Sequence, residues 1–496
     1  MGQKRRASTA PKTAAQRRAE RRGQADAKSA NADASLSDED RIAQSERRRK
    51  RIVLGLLPLL TLAIVFWAWP SFAIGKAHRE AVVLNVTAAD AWLRRAGWTG
   101  RRGDEILLLR SRLARRQGEF ERANAFFAEA VQAGLPKARQ QAELVLLRSE
   151  AGEPERIAQS IELLTEHESL PQIYESWVRG ELVRLNAGGV IDRAREWAAE
   201  VPSDPRPLIY AARAHGPRYE FNQAEEKLRE AVARRPDSGW AWLSLGGTLL
   251  ISKKYDEALQ AARRATELLE VAEPGLVLQA SVLRDLGRLD EAEAAIDRAL
   301  AVPRADVERM YVLLGERPQD AATAALATRA EILLDADRPA EALEAFDRVL
   351  AVESDNSAAH FGRAQALRML GRRDEARAAG ERVAEAQQAM QRIELAAVTL
   401  ADDPGDIDLQ RKLGIDLLGF GDRQAGLYWL AKVLDADPRD RASLAALVDF
   451  YAGRVAMAEA GQTDDLTPYI TDPAAELQAY RRRLEALGEP KDADDE

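Results

Sequence analysis

The chain has 496 residues, of which 46% are hydrophobic and 31% charged, and its formal net charge is −8. It contains no cysteine and only four histidines, which excludes disulfides, thiolate metal sites and a cysteine nucleophile. The charge is uneven, because residues 1–51 carry 15 Lys and Arg against 7 Asp and Glu, whereas the remainder carries 57 against 73. This division into a basic end and an acidic body indicates two different environments.

Residues 1–51 form a basic tail rich in Ala, Arg, Lys, Ser and Gln, with almost no large apolar side chain. Such a composition buries too little apolar surface to offset the entropy lost on folding, so we expect the tail to be disordered. Its arginine pairs could contact nucleic acid or anionic lipid. The alternative is a solvated tail whose charge only sets membrane topology.

Residues 52–74 form an uninterrupted run without a charged side chain. A helix of this length spans about 34 Å, enough for a hydrocarbon core of about 30 Å, so the run predicts one transmembrane helix in contact with the lipid bilayer. Trp67 and Trp69 would anchor one end at the lipid–water interface, and the basic residues 47–51 would keep the N-terminus in the cytoplasm. A cleaved signal peptide is the alternative, although the apolar run and the preceding tail are both longer than usual.

Small and apolar residues recur in the body of the chain with a period of about 34 residues, which lies in the range of stacked-repeat proteins. This spacing separates three pairs of alanines: Ala224 and Ala258, Ala258 and Ala292, Ala342 and Ala376. In such proteins one unit cannot bury its apolar face alone, and neighbouring units form a continuous core. The sequence therefore predicts an array of amphipathic helix pairs.

The clearest unit, residues 238–269, holds Trp242, Leu245 and Gly246, followed by Tyr255 and a run of spaced alanines. It resembles the tetratricopeptide repeat, whose pattern is W-x2-L-G-x2-Y, then A-x3-F and P, over about 34 residues. The resemblance extends over about residues 101–455. The resemblance implies an all-α fold, a right-handed α-solenoid of helix pairs. With its preceding apolar run, the chain is similar to bacterial inner-membrane proteins that carry such repeats in the periplasm.

The expected organisation follows the chain in six parts. They are a disordered basic cytoplasmic tail at 1–51, the transmembrane helix at 52–74, a helical linker at 75–100, the repeat solenoid at 101–455, capping helices at 456–487 and an acidic tail at 488–496. Two insertions interrupt the repeat period. One falls at about 303–318, and the other is expected to form a long helix at about 374–400.

Sequence motifs for catalysis and cofactor binding are missing. There is no phosphate-binding G-x-x-x-x-G-K-[ST], no dinucleotide-binding G-x-G-x-x-G, no H-E-x-x-H and no G-x-S-x-G. Gly246 and Gly247 lie within a helical pattern and are better explained by close helix packing than by a phosphate site. We expect no enzyme activity, no cofactor, no metal and no small-molecule substrate.

In tetratricopeptide proteins the first helix of each pair lines a concave trough in which peptides bind. This resemblance, combined with the helical period of each first helix, predicts a partner-binding stripe that mixes apolar residues with arginines. Arginine suits contacts with carboxylates, and an aromatic ring can anchor an apolar side chain. The alternative is that the arginines only form ion pairs with neighbouring helices. The candidate residues are Arg213, Leu243, Arg284, Phe361, Gln365, Arg368 and Arg411.

The predicted function is a membrane-anchored scaffold that binds protein or peptide partners outside the cytoplasm, in envelope assembly, secretion or folding. The alternative is a structural element of the envelope or a coat that associates with copies of itself. The sequence does not identify the partner or the pathway.

Overall fold

The computed structural model describes residues 61–184, 186–316, 320–353, 356–402, 405–460 and 472–487. The basic tail at 1–51 and the acidic tail at 488–496 lie outside these residues, as does the first part of the expected membrane helix, 52–60. Every regular element among the described residues is a helix. The chain divides into two units, residues 1–72 and 73–496.

The first unit contains helical residues 61–72, and the second begins with helical residues 73–82. No helix in the described parts of the chain combines the length and the apolar character needed to cross a membrane. This finding contradicts the predicted membrane localisation, which is wrong. Residues 52–60 of the expected transmembrane helix lie outside the described residues, so the helix itself and its contact with the bilayer stay untested.

The two tryptophans expected at the lipid interface lie in this first unit. The Trp67 side chain is 66% exposed, whereas Trp69 is half-buried and its ring lies 5.9 Å from that of Phe72, centroid to centroid. Their predicted role as membrane anchors stays a prediction.

The second unit contains 23 labelled α-helices among the described residues. The bounds of those in its first part are α1 Val86–Ala96, α2 Gly103–Arg116, α3 Phe120–Gln132, α4 Lys137–Glu150, α5 Glu155–Gln159, α6 Ile161–His167, α7 Leu170–Val183, α8 Ala187–Glu200, α9 Arg206–His215, α10 Phe221–Arg234, α11 Gly239–Ile251 and α12 Tyr255–Leu268. The bounds of the others are α13 Glu273–Asp285, α14 Leu289–Leu300, α15 Arg304–Leu314, α16 Asp320–Asp335, α17 Pro339–Val352, α18 Ser357–Met369, α19 Arg373–Asp402, α20 Ile407–Phe420, α21 Arg423–Ala436, α22 Arg441–Glu459 and α23 Pro473–Glu485.

These helices pack as sequential pairs, and each pair packs on the next. The pairs are α2–α3, α7–α8, α9–α10, α11–α12, α13–α14, α16–α17, α18–α19, α20–α21 and α22–α23, and α4 pairs with the short helices α5 and α6. The periodic alanines Ala258, Ala292 and Ala342 are fully buried, because a small side chain lets two helices approach closely. This architecture is the all-α helical repeat solenoid that the sequence predicts.

Glycine forms two of the turns between the helices of a pair. Gly287 and Gly371 adopt positive φ angles of 73° and 72° between the helices of a pair, a region that costs glycine little. Lys253 occupies the equivalent turn between α11 and α12 with a φ of 57°. Gly421, in contrast, has a φ of −127°.

The poorly matching stretch 135–203 contains a broken second helix. Ser160 separates α5 from α6, and Ile157 and Leu164 supply the buried contacts of this pair. Ala158 on α5 is exposed, whereas Ala194 on α8 is buried.

Both expected insertions are helical. The second is the long helix α19, Arg373–Asp402, as the sequence predicts, and the expected start of the capping segment at 456 falls within α22. The first insertion is α15. Helices α13 and α14 pack directly against α16, so α15 is an addition to the stack of pairs and not a part of it.

Candidate functional site

The seven predicted site residues all lie on first helices of pairs. They belong to α9, α11, α13, α18 and α20. Leu243, Phe361 and Gln365 are half-buried, and Arg368 is exposed. The seven residues are spread over five helices, so the stripe is distributed along the array and remains a prediction.

Two of the predicted arginines are held by carboxylates. Arg284 on α13 contacts Glu331 and Asp335 on α16. Arg411 on α20 pairs with Asp408, at 2.6 Å, and with Asp440, at 2.5 Å. These ion pairs link neighbouring repeats, so both arginines have a role in packing whether or not they also contact a partner.

Arg213 on α9 contacts the insertion helix. Its Nη1 donates to the Leu314 carbonyl oxygen at 3.1 Å, and its Nη2 donates to the Gly315 carbonyl oxygen at 2.8 Å. The last carbonyls of a helix lack partners within the helix and carry partial negative charge. Arg213 therefore caps the C-terminal end of α15.

We use the term inner groove for the surface that the first helices α2, α4, α7, α9, α11 and α13 present to α15. Its residues are Arg116, Glu150, Arg179, Tyr210, Arg213, Trp240 and Glu273. All but Glu273 line, with Leu313 and Leu314 of α15, a cavity of about 160 Å³. The insertion helix therefore lies in the inner groove and contacts residues from helices far apart in the sequence.

Aromatic side chains form part of the groove wall. The ring of Tyr210 meets that of Trp240 edge to face, with centroids 5.3 Å apart, and both residues are buried. Trp242, which occupies the tryptophan position of the repeat pattern, is half-buried, and its Nε1 donates to the Pro236 carbonyl oxygen at 2.9 Å. The larger packing contribution in α11 comes from Trp240.

A buried carboxyl group faces the insertion helix. Glu273, at the start of α13, is 1% exposed and interacts with Tyr311 of α15, although neither carboxyl oxygen reaches hydrogen-bond geometry. Burial raises the pKa of Glu273 to about 7, and the Tyr311 hydroxyl lowers it by less. The carboxyl group of Glu273 therefore changes its charge near neutral pH.

Next to the inner groove, five arginines and five carboxylates form a largely buried network, which we call the arginine–carboxylate ladder. Its members are Arg112, Arg115, Arg116, Arg179, Arg206, Glu143, Glu150, Glu168, Glu175 and Asp204. The formal charges cancel, and the contacts connect α2, α4, α7 and α9. The ladder therefore joins four successive first helices.

The carboxylates at the centre of the ladder stay ionised at neutral pH. Burial alone would raise the pKa of Glu143, but the charges of Arg112 and Arg115 bring it down to about 2. Burial would likewise raise the pKa of Glu175, which Arg116 and Arg206 lower to about 2. Loss of one partner would leave an unpaired charge in the interior, which is far costlier than loss of a surface pair.

Sequence reasoning missed both the ladder and the occupied groove. The ladder had a signal, since Arg112 and Arg116, and likewise Glu175 and Arg179, are spaced four apart on first helices and therefore share a face. The only sequence signal for the occupied groove was the excess length between Ala292 and Ala342. That excess locates an insertion without indicating where it packs.

A second cavity lies beside the first, where the short 3₁₀ helix Gly216–Arg218 packs against α21. It measures about 380 Å³, and its walls include Tyr219, Phe221 and Tyr428. Arg213 lines both cavities. Tyr219 has a positive φ of 58° and packs against the core of α19, α20 and α21, so this contact joins early and late repeats.

In the described parts of the chain, no cluster of three or more His, Asp and Glu side chains could hold a metal ion.

Comparison with known proteins identifies the repeats. Residues 211–271 and 327–390 match the family model described as tetratricopeptide repeat. No curated protein matches the chain.

Several solved structures share its helical-repeat character. The human IFIT1 dimer with m7Gppp-AAAA is 14% identical, with a TM-score of 0.36 over 78% of this chain and 91% of that one. YrrB, a TPR protein with an unusual peptide-binding site, is 20% identical, with a TM-score of 0.24 over 45% and 98%. The APC/C hetero-tetramer Cut9–Hcn1 is 12% identical, with a TM-score of 0.42 over 79% and 73%. No functional inference is drawn from TM-scores this low. The family match, together with the paired helices, supports tetratricopeptide repeats at residues 211–271 and 327–390.

Proposed function

We propose that the protein is a scaffold that binds a polypeptide segment along the first helices of its repeats. The observation that carries this proposal is that the inner groove already holds a polypeptide helix, α15, whose end is capped by Arg213. A surface that binds one segment of its own chain through apolar walls and a terminal arginine has the chemistry to bind a segment of another.

The partner-binding residues proposed are Arg213, Leu243, Arg284, Phe361, Gln365, Arg368 and Arg411. In the later repeats, half-buried Phe361 and exposed Arg368 lie on the same face of α18, because seven positions correspond to about two helical turns. An apolar anchor next to a cation suits an acidic or amphipathic segment. This function requires no catalytic residue.

The test uses the full-length chain with a photo-crosslinking residue, benzoylphenylalanine, in place of Phe361. A matched control carries it at Arg264, on the second helix α12, where the side chain is exposed. We expect polypeptide adducts at position 361 and few at position 264. The same adduct yield at both positions, or none at position 361, would contradict the proposed binding surface.

A second test asks whether the side chains matter. The triple variant Arg284→Ala, Phe361→Ala, Arg368→Ala should lose recovery of the crosslinked partner, whereas Arg263→Ala with Arg264→Ala on α12 should retain it. Circular dichroism must first show equal helix content, because Arg284 also contacts α16. Unchanged recovery with an intact fold would place the binding surface elsewhere.

A self-associating element is the second candidate. The long helix α19 exposes three large apolar side chains, Met390 at 53%, Leu395 at 69% and Val398 at 63%. Exposed apolar patches are common at interfaces between proteins. Concentration-dependent sedimentation of the full chain that disappears with Leu395→Glu and Val398→Glu would favour this candidate over the scaffold.

A further inference from the structure

The insertion helix α15 can leave the inner groove without breaking the stack of repeats. Helices α13 and α14 pack directly against α16, so the interfaces that hold successive pairs together do not pass through α15. In repeat proteins, stability is close to a sum of unit and nearest-neighbour terms. Removal of α15 from the groove therefore costs its own contacts and leaves the neighbouring interfaces in place.

The buried face of α15 has the pattern of a helix that docks in a groove. Val307, Met310, Tyr311 and Leu314 are all buried, and they occupy positions i, i+3, i+4 and i+7. These are the anchor positions through which amphipathic helices bind hydrophobic grooves of partner proteins. Arg304 and Glu308, at the flank of this face, pair with each other at 2.6 Å.

The C-terminal end of α15 meets a fixed cation. Besides its two bonds to main-chain oxygens, Arg213 lies 3.5 Å from Glu316, nitrogen to oxygen. Arg213 thus binds both the last carbonyl oxygens of a helix and an acidic residue just after that helix. A second helix with an acidic residue at this position would find the same partner.

The fit of α15 in the groove is incomplete. A cavity of about 160 Å³ remains beside Leu313 and Leu314, against Tyr210 and Trp240. The Glu273 carboxyl, buried against Tyr311, also lacks a hydrogen-bond partner, an arrangement that costs free energy. A helix with larger apolar side chains at these points would make contacts that α15 does not.

We propose that α15 is an internal, autoinhibitory occupant of the inner groove, and that the partner is an amphipathic helix which displaces it. This partner carries apolar or aromatic anchors at i, i+3, i+4 and i+7, followed by an acidic residue that pairs with Arg213. The inference rests on the proposed polypeptide-binding function and adds the chemistry of the ligand and the segment that regulates access.

The first test uses a labelled synthetic peptide of residues 303–316 as the probe and the full chain as the receptor. In one variant of the chain, Val307, Met310, Tyr311 and Leu314 are all replaced by Ser, so the tether stays while its anchors are lost. We expect the probe to bind this variant at least about tenfold more tightly than the wild type, because affinity falls with the fraction of open groove. Adding Arg213→Ala to the variant should weaken binding about tenfold, and a probe with the same four serines should not bind.

The second test keeps α15 native and locks it in place. Gly118→Cys with Val312→Cys creates the only two cysteines of the chain, at a site where a Cβ on Gly118 would lie 3.4 Å from Cγ1 of Val312. A tethered helix competes at an effective concentration of about millimolar, so the reduced form should bind the probe at millimolar concentration. The oxidised form should bind at least about tenfold more weakly.

Equal probe binding by the oxidised and reduced forms, or no binding by the reduced form at millimolar probe, would overturn the proposal. Equal binding by the wild type and a folded serine variant would also overturn it. These outcomes leave the proposed scaffold function standing if crosslinking at position 361 still recovers a polypeptide. Loss of crosslinking together with normal probe binding would instead reject the partner surface on the later repeats.

Discussion

The buried carboxyl of Glu273 makes the contact between α13 and α15 sensitive to pH. Burial raises its pKa from 4.5 to about 7. The folded protein therefore holds a proton that the unfolded chain releases between about pH 4.5 and pH 7. Because the unfolded state binds fewer protons in this window, stability falls as the pH rises through it and is constant again above it.

The magnitude follows from the size of the shift. Each pKa unit corresponds to about 1.4 kcal/mol, so the whole window is worth about 3 kcal/mol, of which about 2 to 3 kcal/mol falls between pH 5 and pH 8. Glu273→Gln removes the titration and keeps the shape of the side chain. The difference in free energy of unfolding between this variant and the wild type should therefore shift by about 2 to 3 kcal/mol in favour of the variant between pH 5 and pH 8. Asp320 and Glu316 lie near Tyr311, but both are present in the variant and cancel in the comparison.

Hydrogen exchange read by mass spectrometry on peptides from α13 and α15 is the appropriate assay, because stacked repeats need not unfold in one step. Wild type and variant are compared at the same pH, so intrinsic exchange rates cancel. Glu267→Gln on α12, whose side chain is 60% exposed, is the matched control and should show no such change. A Glu273→Gln effect that is equal at pH 5 and pH 8 would refute the reasoning.

Two further predictions concern backbone packing. In Gly362→Ala the new methyl group would overlap the buried Phe346 ring, so the free energy of unfolding should fall by about 1 to 3 kcal/mol. In the control Gly247→Ala no atom lies within 4 Å of the new Cβ, so the free energy of unfolding should rise by about 0.5 to 1 kcal/mol through helix propensity. In the turns, Lys253→Gly should stabilise the array by up to about 1 kcal/mol, because its φ is 57°, and Gly287→Lys should destabilise it by about 1 kcal/mol or more. Urea unfolding followed by circular dichroism measures all four, and equal effects at the two members of either pair would contradict the packing described.

The repeat architecture could be predicted from the sequence because its signals are local and periodic. Ala258 and Ala292 recur at the repeat period, and Gly287 and Gly371 lie at turns that need a positive φ. The insertion at about 374–400 predicts the long helix α19. Each of these depends on residues that are neighbours in one helix pair. That Trp240 is buried and Trp242 only half-buried depends on how α11 is rotated against its neighbours, which the repeat pattern does not specify.

The arrangement of the groove could not be predicted, because it depends on contacts across long sequence separations. Arg213 meets Leu314 and Gly315 about a hundred positions away, and no periodicity carries that information. The predicted membrane localisation failed for a different reason. It relied on the length of the uncharged run 52–74, but no helix in the described parts of the chain is long and apolar enough to cross a membrane.

The position of α15 in the inner groove is the central claim, and disulfide formation tests it most directly. In the Gly118→Cys, Val312→Cys variant, mild oxidation followed by tryptic mass spectrometry should recover the linked peptides in most molecules, because a Cβ at position 118 would lie 3.4 Å from Cγ1 of Val312, the position that the sulfur of a cysteine at 312 can take. The control pair Gly118→Cys, Arg304→Cys should not link, since position 304 lies about 12 Å along the helix from position 312. Linkage of the control pair at the same rate, or no linkage of the first pair in the folded protein, would contradict the account.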